Sequence, residues 1–187
     1  MTLLEMKKKI LGLIEELNPN NENLTDDPDI AAKLNDVINQ IMFEVARLKK
    51  LPKYVEMAVN NGDTITFEDI EKKCGYTVYQ MSKVSGVMYD GKADNTVLKV
   101  RESGTMEIDC YVFPERITES TKDRAYEFEL SDEVLEIMPY GVAADLLKSD
   151  KSTNYGATYK QRYEEMLQRL DYRYATEGIR VEGGVDI

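Results

Sequence analysis

The spacing of apolar residues divides the chain into three parts, with a helical period in both outer thirds and a period near two in the middle. In the first third, Thr2 and Glu5 form a capping-box pattern ahead of an amphipathic stripe, which stops before Pro19. Asp27 and Pro28 then form a standard helix start, followed by a second apolar stripe. This part of the sequence therefore predicts two helices.

The stretch 130–171 predicts two more helices, folded back on each other. Ser131 can cap the first of these, which is apolar on most faces and should be buried by several neighbours. Pro139 is expected to kink this helix or to begin a new segment. The second helix has one aromatic and apolar face, formed by Tyr155, Tyr159, Tyr163, Met166, Leu167 and Leu170.

Between residues 53 and 130, alternating polar and apolar positions predict several short strands of an antiparallel sheet, barrel or small sandwich. Asn61-Gly62 is typical of a hairpin turn between the first two strands. The cleanest alternation predicts a second hairpin, in which residues 96–100 pair with residues 106–112. We expect residues 126–130 to form a last strand and residues 67–74 to hold a short helical turn.

Two details of this middle third bear on its surface and core. Along the strand 106–112 the apolar residues fall on one face, so Glu107 and Asp109 should point to the other face. Cys74 and Cys110 do not form a CxxC pair, and we expect two reduced thiols rather than one disulfide.

Together these elements predict an α+β fold. We expect residues 1–52 and 131–171 to form a helical bundle from the N- and C-terminal helices, with residues 53–130 as an inserted antiparallel β-sheet or sandwich domain. The glycine-rich segment 172–187 would be either a disordered end or an extended arm that orders on a neighbouring subunit.

The composition limits the function. With 24 basic and 35 acidic residues the net charge is −11, which argues against direct binding to the DNA backbone or to an anionic membrane. The chain has no histidine, the commonest general base and transition-metal ligand. We find no nucleotide, metal or hydrolase motif, and no apolar run long enough to span a membrane. These observations predict a protein without enzymatic activity, metal or cofactor.

Two acidic stretches are the best candidates for a cation site. The TDDPD segment at 25–29 could hold a cation, but the pattern favours Asp27 as a helix cap. The segment YDGKADN, with Asp90, Asp94 and Asn95, loosely matches a calcium loop. Its glycine spacing misses the EF-hand rule, and a hairpin turn at Asp90-Gly91 is the better interpretation.

The run IMPYGVAADLLKSDKSTNYGATYKQRYEEMLQRLD at 137–171 resembles the C-terminal helical part of head–tail connector (adaptor) proteins of tailed bacteriophages and prophages. The first helix, TLLEMKKKILGLIEEL, and the terminal GGVDI fit the same pattern. The resemblance implies a helical bundle with a β insert, in a ring of copies, a dodecamer in the particle, beneath the portal protein. The ring would form the docking platform for the tail, and DNA would pass through it without specific binding.

This resemblance also implies a place and partners. The protein would be made in the bacterial cytoplasm and reside in the neck of the virion, bound to portal and to tail or neck proteins. We expect the partner contacts to lie in the C-terminal segment, at Tyr172, Arg173, Tyr174, Ile179 and Arg180. Two alternatives remain open: another neck component, such as a head-completion or tail-terminator protein, and a metal-dependent hydrolase that uses clustered carboxylates.

Overall fold

This computed structural model describes the backbone of residues 1–91, 97–148 and 154–177, and the side chains up to Leu170. Within those residues the fold is a mixture of helices and two small antiparallel three-stranded sheets, as the α+β prediction requires. The helices are α1 (Leu3–Leu13), α2 (Pro28–Lys49), α3 (Phe67–Cys74), α4 (Asp132–Leu146) and α5 (Tyr155–Glu177). The strands are β1 (Leu51–Val59), β2 (Thr64–Thr66), β3 (Val78–Ser85), β4 (Tyr89–Asp90), β5 (Val97–Val100) and β6 (Gly104–Val112).

The chain divides into two compact units. Unit 1 comprises Met1–Ile41 and Thr118–Ile187, and unit 2 comprises Met42–Ile117. The sequence pattern placed the boundaries near residues 52 and 131. In the structure, unit 2 begins at Met42 and therefore includes the last two turns of α2. The reason is local packing: the ring of Phe43 lies 5.0 Å from that of Phe113, and the Tyr79 hydroxyl donates a hydrogen bond to the Ala46 carbonyl.

The predicted helix starts of unit 1 are confirmed. The Thr2 hydroxyl accepts a hydrogen bond from the Glu5 amide, and the Glu5 carboxylate accepts one from the Thr2 amide, which completes a capping box. At the start of α2, the Asp27 carboxylate accepts hydrogen bonds from the amides of Asp29 and Ile30. Ser131 precedes α4 with extended backbone, although its side chain makes no capping hydrogen bond.

The predicted last strand, residues 126–130, is wrong. Only a single bridge forms there, between Thr2 and Glu127. The preceding residues are held instead by the first turn of α1: the amide of Leu4 donates to the carbonyl of Asp123, and Lys7 forms a 2.9 Å ion pair with the Asp123 carboxylate. The alternation at 126–130 therefore reflects a segment that lies along a helix end rather than a strand in a sheet.

The helical hairpin of α4 and α5 depends on a close approach at Gly141. A Cβ atom added there would lie 2.8 Å from the ring of Tyr163, so only glycine fits this spacing between the two helices. Residues on most faces of α4 are buried, as the apolar pattern predicts, and Pro139 is accommodated inside the helix. Within the same unit the Tyr159 hydroxyl donates to the Leu13 carbonyl at the end of α1.

Replacement of Gly141 by alanine should destabilise the protein by about 1–3 kcal/mol, because the added methyl group overpacks the contact with the Tyr163 ring. Gly12 is the matched control, since it also lies in a helix but has no neighbour within 4 Å of the added Cβ. Gly12→Ala should leave stability unchanged or raise it by up to about 1 kcal/mol. Denaturant unfolding of both variants checks this, and equal effects would contradict the close approach.

In unit 2 the strand pairing differs from the prediction. β1, β6 and β3 form one antiparallel sheet with β6 in the centre, and β2, β5 and β4 form the other with β5 in the centre. Both predicted hairpins are therefore wrong, because each joins strands of different sheets. Asn61-Gly62 is a turn, with Gly62 at a φ of 95°, but it passes from one sheet to the other. The other strands and α3 lie where the sequence pattern predicts them, whereas β4 was not predicted as a strand. Its antiparallel pairing with β5 agrees with a turn after Asp90.

The two sheets and α3 contribute to one cluster of buried residues. From the first sheet come Val55, Val59, Val78, Met81, Met106, Ile108, Cys110 and Val112, and from the second sheet and α3 come Ile65, Leu98, Val100 and Ile70. β1, β5 and β6 therefore turn alternate residues inward, whereas β3 contributes Val78 and Met81 across irregularities in its pairing. The other set of the first sheet faces outward.

Both cysteines are free, as predicted. Burial raises the pKa of the Cys110 thiol to about 11, and its Sγ donates to the Lys53 carbonyl at 3.5 Å, whereas Cys74 is only half-buried. At pH 8 a thiol reagent should therefore label Cys74 in the folded protein and reach Cys110 only after unfolding.

The pKa of the Cys110 thiol is higher in the folded chain than in the unfolded chain, so folding favours the protonated thiol. The free energy of unfolding should therefore fall as the pH rises from 9 to about 11, where the thiol of the folded chain loses its proton.

Thiol titration of the native protein and of a Cys110→Ser variant measures this directly. The two proteins should give the same native signal at pH 8, and they should differ by one thiol in denaturant. Equal labelling rates for the two cysteines of the native chain would contradict the burial of Cys110.

Candidate protein interaction surface

The outward face of the sheet β1–β6–β3 is divided into two chemically different halves. The register pairs Glu56 of β1 with Glu107 of β6, and Tyr54 with Asp109. These four side chains are exposed, and we call them the acidic half. Glu107 and Asp109 point away from the core, as the alternation along β6 predicts. Two carboxylates directly opposite each other on neighbouring strands repel, which is unfavourable for the sheet.

Hydrogen bonds orient groups within the acidic half, and the register places one cation, the exposed Lys83 of β3, opposite Asp109. The Tyr54 hydroxyl donates to the Glu56 carboxylate at 2.8 Å, and the Ser85 hydroxyl of β3 donates to the Glu107 carboxylate at 3.1 Å. The bond to Glu56, burial, and the charges of Glu107 and Asp109 raise the pKa of Tyr54 to about 12.

The other half of the same face is aromatic. Tyr79 of β3 stacks on Tyr111 of β6 at 6.3 Å between ring centroids, and it also lies 4.8 Å from the ring of Phe113. Phe43, in the last turns of α2, completes the group by packing on Phe113. Tyr79 is half-buried, and this burial raises the pKa of its hydroxyl. The aromatic half thus anchors the end of α2 on the sheet.

The end of α2 brings exposed positive charge to this aromatic half. The Arg47 guanidinium lies 5.1 Å from the centroid of the Phe113 ring, and the Lys50 ammonium lies 5.3 Å from that of Tyr111. Both side chains are exposed, and Leu48 between them is 49% exposed. Lys50 has a φ of 51°, a left-handed conformation that ends the helix and leads into β1. We call Arg47, Leu48 and Lys50 the α2 tip.

The residues predicted as partner contacts fall in the last part of the chain. Tyr172, Arg173 and Tyr174 belong to α5, which continues to Glu177, so the first residues of the segment expected to be an arm have helical backbone. Their side chains, and all of Ile179 and Arg180, lie outside the described residues. Their role as contacts stays a prediction.

The acidic candidates for a cation site have other partners. Asp26 accepts hydrogen bonds from the side-chain amides of Asn21 and Asn18, which lower its pKa, and Asp27 caps α2. Asp90 forms an ion pair with Arg101, while Asp94 and Asn95 lie outside the described residues. In the part of the chain that the structure describes, no three cysteine, aspartate or glutamate side chains converge as a metal-binding set. Among the same residues, no helix is long and apolar enough to cross a membrane.

Comparison with other proteins assigns no family to this chain. No protein-family model matches the sequence, and no curated protein matches it.

Sequence reasoning found the outward direction of Glu107 and Asp109, but it missed that Tyr54 and Glu56 lie beside them on the same face. The signal was present in the alternation of β1, yet only the register with β6 shows which outward residues become neighbours.

Replacement of Glu107 by glutamine should stabilise the protein by about 0.2–1 kcal/mol at low salt, because it removes the repulsion with Glu56 across the strands. Glutamine keeps an oxygen that can accept the hydrogen bond from Ser85. The gain should shrink in concentrated salt, which screens exposed charges. Glu16→Gln, at an exposed position outside the sheet, is the control and should change little. Denaturant unfolding at low and high salt tests this, and a loss of stability at both would contradict the repulsion.

Proposed function

We propose that this protein is a structural head–tail connector of a tailed phage or prophage, which assembles under the portal protein and receives the tail. The observation that carries the proposal is the exposed sheet face of unit 2, where Glu56 and Glu107 lie side by side although they repel. Repulsion of this kind costs stability in the isolated chain, and contact with a basic surface of a partner would offset that cost. It is therefore suited to assembly.

The resemblance of residues 137–171 to connector proteins supplies the class of assembly. That run corresponds to α4, the turn after it and most of α5, and the close Gly141–Tyr163 contact lies inside it. A hairpin packed this closely is a rigid element, which suits a protein that has to hold a fixed position in a particle.

The distribution of charge supports passage of DNA without specific binding. Unit 1 contains 13 basic and 23 acidic residues, whereas unit 2 contains 11 and 12, so nearly all of the net negative charge belongs to unit 1. Phosphate groups are repelled by such a surface, because binding to the DNA backbone needs clustered lysine and arginine. In the proposed particle, DNA would move past the ring without adhering to it.

The test is binding of the purified chain to the portal protein encoded in the same genome, followed by size-exclusion chromatography with light scattering and by electron microscopy. We expect the chain to join the portal as a ring of copies. A chain that binds a tail-tube protein and not the portal would instead be another neck component. Binding to neither protein would contradict the proposal.

Removal of residues 178–187 tests the predicted C-terminal contacts. The cut after Glu177 keeps all of α5, so the truncated chain should fold with unchanged thermal stability. It should bind the portal at least about tenfold more weakly, a loss of about 1.4 kcal/mol, because Ile179 and Arg180 are gone. The change Arg124→Ala, at an exposed residue of unit 1 outside this segment, is the control and should leave binding intact. Unchanged binding of the truncated chain would show that this segment makes no portal contact.

A further inference from the structure

The outward face of the sheet β1–β6–β3 carries opposite charges at its two ends. The acidic half presents the carboxylates of Glu56 and Glu107, and the α2 tip presents Arg47 and Lys50. The cations lie over Tyr111, which follows the acidic residues along β6, and over Phe113, just beyond the end of that strand. One face of unit 2 is therefore an electric dipole, although the unit as a whole is nearly neutral.

Glu56 and Glu107 lie far from the cations of the α2 tip. Glu107 and Tyr111 are four residues apart on one strand, a separation of about 13 Å at the usual rise of a β-strand. Asp109 is nearer, two residues from Tyr111, and the register places Lys83 of β3 opposite it. Over such a distance in water, exposed charges are largely screened at ordinary salt concentrations. The cations contact aromatic rings instead, and the carboxylates accept hydrogen bonds from Tyr54 and Ser85.

The helix dipole accounts for part of the α2 tip but not for all of it. Positive side chains are favourable at the C-terminal end of a helix, so Arg47 and Lys50 stabilise α2 there. That explanation does not extend to Leu48, which follows Arg47 in the sequence and is 49% exposed, or to Tyr54, which is 55% exposed in the acidic half. Exposed apolar and tyrosine surface flanked by charge is typical of a protein interface.

We infer that two copies of this chain associate through this face, with the α2 tip of each copy on the acidic half of the other. If the two sheets face each other with their strands running in opposite directions, both contacts form at once, as two-fold symmetry requires. Arg47 and Lys50 then meet Glu56 and Glu107, and Leu48 lies against Tyr54. Both contacts place unlike charges together and relieve the repulsion between the two glutamates.

A second copy is the occupant that the charges favour, because this one face contains both the acidic surface and its basic complement. A partner that carries only basic residues would satisfy the acidic half and would repel the α2 tip. The inference goes beyond the proposed function, since it concerns the isolated chain and needs no portal protein. The two failures can be told apart, because self-association is measured on the isolated chain and portal binding is measured with the portal protein added.

Sedimentation of the isolated chain at several concentrations and at low salt tests the inference. The wild-type chain should form a dimer, and the double variants Glu56→Lys/Glu107→Lys and Arg47→Glu/Lys50→Glu should each associate at least about tenfold more weakly. Matched controls make the same changes of charge at exposed positions of unit 1: Glu15→Lys/Glu16→Lys and Lys8→Glu/Lys9→Glu. The controls should dimerise like the wild type.

An equimolar mixture of the two interface variants separates loss of the contact from loss of folding, because a variant that fails to fold would not associate with the other variant. One variant is then basic at both ends and the other acidic at both ends, so the mixture should restore the dimer. Carbodiimide cross-linking of mixed light and ¹⁵N-labelled wild-type chains should join Lys50 of one copy to Glu56 or Glu107 of the other.

A wild-type chain that stays monomeric up to about 1 mM would overturn the inference. So would control variants that lose association as strongly as the interface variants, or a mixture that stays monomeric. An acidic half that cross-links only to an added portal protein would show that another protein occupies this face.

Discussion

Unit 2 is organised by one strand that is paired on both sides. β6 lies between β1 and β3, so its backbone groups are bonded to both neighbours and its side chains alternate between two environments. Its inward residues, from Met106 to Val112, join the buried cluster. Its outward residues include Glu107, Asp109 and Tyr111, which define both halves of the exposed face. A slip of one residue in this strand would bury the carboxylates and expose the core.

The sequence predicted local structure well and pairing between distant segments poorly. The capping box at Thr2 and Glu5, the cap at Asp27 and the alternation of β6 are short-range patterns, and each appears in the structure. The hairpin expected between residues 96–100 and 106–112 has a suitable turn and two alternating strands. Nevertheless its strands enter different sheets, because alternation specifies which face of a strand is apolar and does not specify the neighbouring strand.

The same limit explains what was missed at the surface. Outward carboxylates on one strand are ordinary, and the repulsion arises only when the register places Glu56 opposite Glu107. Likewise, the cations at the end of α2 look like helix-dipole partners until Phe113 and Tyr111 are seen beneath them. The charge separation on this face is therefore a property of the fold, and the inference about assembly through this face follows from it.

Nuclear Overhauser effects between backbone protons of neighbouring strands test the central position of β6 most directly, because they arise only between protons in close contact. The account predicts cross-strand effects that join Glu107 to Glu56 on one side and to Ser85 on the other, in agreement with the register. Effects that join β6 to β5 through a hairpin at Ser103-Gly104 would contradict it. In that case the acidic half would not exist as one surface.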